Sequence, residues 1–155
     1  MGAAVVAERP SGAPGARTIG RMISTEAALE LREAGLVWRP RSGDRFQLDE
    51  PEFDADVFTV SEMTIEARDY PTGTILAFNG TTEWALDSVA LADALWLPTE
   101  EQLREMLRGG FRALRRLADT YEVEVAVGDE VRRLQHPEPS DAYAQAVLAL
   151  LARIA

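Results

Sequence analysis

Two residue periods stand back to back near the C-terminal end of the chain, and together they constrain the fold more than any other feature. Tyr121, Val123, Val125 and Val127 alternate with Glu122, Glu124 and Ala126, the period-two pattern of a strand with one buried face. Gly128-Asp129-Glu130 supplies a turn and Val131 to Gln135 a partner strand, so the segment reads as a β-hairpin. Beyond Pro137-Glu138-Pro139-Ser140, Tyr143, Ala146, Val147, Leu150, Leu151 and Ile154 recur at helical spacing, which requires one stripe of that helix to be buried. A sheet with one apolar face followed by a helix with one apolar stripe points to the α+β class.

Two further helices carry their own start signals. Thr99 and Gln102 form a capping-box pair, Glu100 and Glu101 fill the first turn, Leu103, Met106 and Leu107 form the apolar face, and Gly109-Gly110 stops the helix. Near the N-terminal end, Ser24 or Thr25 caps a helix running through Ala34, with Ala27, Ala28, Leu31 and Ala34 as its buried stripe and Gly35 just past its end. Short strands are expected at Arg45–Leu48, 57–60 and 74–78, separated by turn clusters at 40–44, 71–73 and 79–80. The double glycine makes Phe111 to Leu117 a fresh strand, despite the three-residue spacing of Phe111, Leu114 and Leu117. Thr82 to Ala94 settles on neither period, and a short helix is the expectation there. Trp38, Trp84 and Trp96 are expected in the core because of the area each buries.

The elements combine into one α+β domain over residues 22–155: a small antiparallel sheet with an N-terminal, a middle and a C-terminal helix packed on it. Residues 1–21, rich in glycine and proline and without a sustained period, read as a flexible N-terminal tail, with Met22 as a candidate true start. At 155 residues the chain suffices for one real core.

Composition closes several routes. There is no cysteine, hence no disulfide, thiolate metal site or cysteine nucleophile, which fits a cytoplasmic protein. No apolar run reaches the roughly 20 residues of a membrane span, and the short apolar run at residues 3–7 falls short of a secretory signal. The net charge of −10 opposes nucleic-acid binding. All 16 basic residues are arginine, so a phosphate-loop lysine is impossible. No G-x-S-x-G surrounds any serine, and the single histidine, His136, sits at the mouth of a turn.

Two charge clusters remain as a candidate interaction surface. Asp49, Glu50, Glu52, Asp54 and Asp56 belong to an acidic run that also includes Asp44, Glu62, Glu66 and Asp69. Their order lacks the position-six glycine and terminal glutamate of a calcium loop, so a solvated acidic face is expected and no metal or cofactor is assigned. Arg112, Arg115, Arg116, Arg132 and Arg133 fall on neighbouring strands and form either a small basic patch or cross-strand pairs with Glu122 and Glu124.

The runs LREAGLVWRPRSGDRF (31–46), VFTVSEMTI (57–65), FNGTTEWALDSV (78–89) and WLPTEEQLREML (96–107) resemble a group of short bacterial proteins labelled pilus assembly protein CpaE. The resemblance spans Met22 to about Ala155. It implies an accessory role in pilus assembly and transfers no catalytic residue, since ATPases bearing that label use a lysine-containing phosphate loop. The expected function is a non-catalytic protein-binding or accessory module with a protein partner, no nucleic acid and no membrane insertion. A metal-dependent or hydrolytic enzyme built on residues 49–56 is the first alternative; an immunity or toxin-neutralising protein is the second.

Overall fold

The computed structural model describes residues 22–49, 56–60, 65–78 and 88–155. The expected tail at 1–21, Trp84, and the acids Glu50, Glu52, Asp54 and Glu62 lie outside the described residues. The elements are α1 (Thr25–Glu33), β1 (Arg45–Leu48), β2 (Val57–Thr59), β3 (Ile65–Tyr70), β4 (Gly73–Phe78), β5 (Ser88–Ala90), β6 (Ala94–Leu97), α2 (Glu100–Leu107), β7 (Phe111–Arg116), β8 (Tyr121–Val127), β9 (Glu130–His136) and α3 (Pro139–Ile154). The class is α+β with an N-terminal, a middle and a C-terminal helix. Its strands are shared among three three-stranded sheets, in the orders β2-β1-β6, β3-β4-β5 and β7-β8-β9. The described residues fall into two compact units, Trp38–Trp96 and residues 22–37 with Leu97–Ala155.

The first unit is organised by aromatic rings. Phe46 and Phe58 lie opposite each other on antiparallel β1 and β2, with centroids 5.6 Å apart. Trp38 packs 5.5 Å from Phe46 and stacks on Trp96 at 6.2 Å and 9°. Leu48, Val60, Ala94 and Leu91 complete the cluster. Asp44 corrects one expectation. Counted among solvated acids by sequence, it is 3% exposed. Its Oδ2 accepts the Trp38 indole N–H at 2.9 Å and the Arg41 amide at 2.9 Å, while its carbonyl accepts the Val60 amide at 2.8 Å. A carboxylate in an aromatic core is tolerable because donors converge on it.

The helix expected over 82–94 is a second correction in its described part. Ser88–Ala90 pairs with β4, a single 3-10 turn covers Leu91–Asp93, and Ala94–Leu97 joins β1. Pairing with strands distant in sequence outweighed a weak local preference. Strand β3, paired with β4 through the Gly73 turn, is an element the sequence reading did not contain; Gly73 has φ +138°, a region closed to L side chains.

In the second unit α3 lies on β8 and β9, and α1 and α2 pack against α3. Val123, Val125 and Val127 face it and are at most 2% exposed. Phe111 and Tyr143 meet at 5.8 Å. Burial in the first half of α3 is broader than the expected stripe: Ala142, Tyr143, Ala144, Ala146 and Val147 are all enclosed, while Ile154 is 76% exposed. Ala34 also leaves its expected stripe, because it is the C-cap of α1 and is exposed. Pro139 occupies the first turn of α3 and Ser140 lies inside the helix, so no side chain caps it. The α2 capping box forms as expected, with both Thr99–Gln102 bonds present.

Two ties hold the ends of α3. In its first turn, Asp141, 6% exposed, accepts the amide of Ser24, the N-cap of α1, at 2.8 Å. One carboxylate therefore serves the positive starts of two helices. At the other end the Arg153 guanidinium donates to the Val127 carbonyl at 2.9 Å and lies over Gly128, φ +65°, where no Cβ would fit.

Candidate functional site

The candidate site is the β7–β9 sheet, whose centre is acidic and whose outer strands carry arginine. Alternation along β8 sends Val123 and Val125 toward α3 and Glu122 and Glu124 to the opposite face. Register places Arg115 of β7 opposite Glu122, and places Gln135 and Arg133 of β9 opposite Glu122 and Glu124. Arg115 Nη1 reaches Glu124 Oε2 at 2.8 Å and Glu122 Oε1 at 3.3 Å. Arg133 Nε bonds Glu124 Oε2 at 2.9 Å, and Gln135 Nε2 donates to Glu122 Oε2 at 2.8 Å. The cross-strand pairing considered for these residues is thus present, and it closes into a continuous network.

The pairing favours the charged forms of Glu124 and Arg115. Hydrogen bonds from Arg115 first and then Arg133 lower the pKa of Glu124 below its ordinary value. The bond to Glu124 raises that of Arg115 above its own. The two arginines and two glutamates joined in this way cancel in charge.

The predicted arginine group does not form one patch. Arg132 lies opposite Val125, on the α3 side of the sheet, and reaches Glu130 at 3.5 Å. Arg115 lies on the other side. A one-residue step along a strand changes the face, which separates Arg132 from Arg133. Arg112 sits at the register shift between Phe111 and Ala113, the extra residue of a β-bulge, and is exposed. Arg116 shares a face with Tyr121 and lies 5.9 Å over its ring.

Of the acidic segment, Asp49 and Asp56 are described and both are exposed. His136 is committed to a turn: its Nδ1 accepts the Glu138 amide at 3.0 Å and lies 3.9 Å from Asp141 Oδ2. Among the described residues no group of three or more His, Asp or Glu is placed to hold a metal ion, and no helix is long and apolar enough to cross a membrane.

Sequence reasoning missed Asp44 and Asp141 as organising carboxylates. Their side-chain and backbone donors, Trp38 and Ser24, stand respectively 6 and 117 residues away, and no local spacing marks them. Gln135 was equally unmarked, although its parity with Glu122 follows from the hairpin register. Compared with family models, with curated proteins and with solved structures, the chain matches none.

Proposed function

We propose that this chain is a non-catalytic protein-binding module, an accessory factor that presents the β7–β9 sheet to a protein partner. One observation carries the reading. The sheet has one face under α3, while the other face displays paired charges beside the exposed side chain of Val131, at 59%, and the margin of the α3 face exposes Leu114, at 38%. Preorganised polar groups around exposed apolar anchors give a partner complementary contacts without ordering mobile side chains. Pilus assembly, implied by the sequence resemblance, is the cellular setting proposed for the module.

The test is photo-crosslinking in native cells from probes placed at positions 112 and 131, with mass spectrometry of the captured species. The expected result is one stoichiometric protein partner linked from these positions. Repeated recovery of no partner, or of one linked only from other surfaces, overturns the reading.

A further inference from the structure

The outer edge of β7 carries a charge pattern that the network on the sheet face does not absorb. Between Glu105 and Asp119 the chain places Arg108, Arg112, Arg115 and Arg116 and no acid, within a protein of net charge −10. Arg115 is engaged by Glu122 and Glu124, whereas Arg112 and Arg116 are exposed at the margin. Among the described residues β7 pairs with β8 on one side only, and none of them pairs in a sheet with its other row of amides and carbonyls. Leu114 on this strand and Leu117 just past its end are each 38% exposed.

From this juxtaposition we infer that the β7 edge docks an extended acidic segment of a partner protein as a fourth strand. The inference rests on the binding-module reading and specifies the chemistry of its partner. The bulge at Arg112 confines the regular ladder to Ala113–Arg116, so the added strand is short. Leu114 and Arg116 share one face. The segment that fits has an apolar residue opposite Leu114 and a carboxylate opposite Arg116, with further acid near Arg112. Main-chain bonds supply part of the affinity and side-chain matching the choice of partner.

Charged edges ordinarily deter strand addition. Here that deterrent applies to neutral and basic strands and becomes attraction for an acidic one. A second copy pairing β7 to β7 would set arginine against arginine, an unfavourable cross-strand arrangement. A nucleic acid would meet the same arginines, yet the charge of the whole chain repels it.

The experiment uses the full chain and three probes: a synthetic peptide alternating glutamate and valine, its lysine–valine counterpart, and a single-stranded oligonucleotide. Binding is followed by calorimetry and by amide hydrogen exchange. The expected result is saturable binding of the glutamate peptide, with outward-facing amides of β7 exchanging about tenfold more slowly. The affinity should fall about tenfold in the combined Arg112→Glu, Arg116→Glu variant and weaken as salt is raised. Equal binding of the lysine peptide, preference for the oligonucleotide, or protection of β7 by dimerisation without peptide overturns the inference. So does bound acidic peptide that leaves β7 exchange unchanged. If the double variant does not fold, the exchange pattern of the natural chain decides by itself. A native partner crosslinked from position 131 alone, with no β7 protection, defeats the edge assignment while the binding-module reading survives.

Discussion

Both units place carboxylates among strands, and they treat them in opposite ways. In the Trp38–Trp96 unit, Asp44 is enclosed by aromatic rings and bound by an indole N–H and a backbone amide. In the other unit, Glu122 and Glu124 lie on a sheet face and are bound by long, exposed side chains of Arg115, Arg133 and Gln135. The first arrangement has no water to fall back on if a bond is removed. The second has water at its margin. Hydrogen bonds in the two places therefore carry unequal weight: loss of a buried partner costs the desolvation of the group left behind, whereas an exposed ion pair contributes little.

The sharpest way to break this contrast is Asp44→Ala, which leaves the Trp38 indole and the Arg41 amide without their acceptor. It should cost about 3 kcal/mol in urea unfolding, with Asp44→Asn well below that because an acceptor oxygen remains. If Asp44→Ala costs no more than a typical surface substitution, the distinction between the two regions collapses.

Asp141→Ala, which removes the acceptor of the Ser24 amide and the carboxylate at the start of α3, should cost about 2 kcal/mol. Exchange of the α1 amides should rise with it if the two helix starts depend on this group. Thr99→Ala, which opens the α2 capping box, should cost about 1 kcal/mol, observed as a shift in the denaturant midpoint at unchanged slope.

The smallest effect belongs to the exposed network. Glu124 has its folded-state pKa depressed by Arg115 and Arg133. The stability it contributes is present above the ordinary glutamate pKa of about 4.3 and is lost as pH falls through the folded-state value. Glu124→Gln should accordingly flatten the acid side of the stability profile, and high salt should shrink the difference between variant and parent. A large, salt-independent loss at neutral pH would place Glu124 with Asp44 and blur the contrast.

How far the sequence carried the fold follows from the range of each interaction. The α2 capping box spans three residues, and the β8–β9 hairpin is set by an adjoining turn and a strict alternation; both formed where their residues indicate. Ser88–Leu97 gave no such signal, since its strands answer to β4 and β1. The candidate surface was half legible. Parity within the hairpin places Arg133 beside Glu124, but the separation of Arg132, the bulge at Arg112 and the engagement of Arg115 depend on the register between β7 and β8.

The sequence by itself determined the α+β class, the starts of α1 and α2 and the charge of the last sheet, because periodicity and capping are local properties of the chain. Only the tertiary structure decided that Asp44 is a core residue, that Asp141 joins two helix starts, and that the arginines divide between two faces. Those outcomes depend on which distant donors meet a carboxylate and on one-residue choices of register, and neither is written in any short stretch of residues.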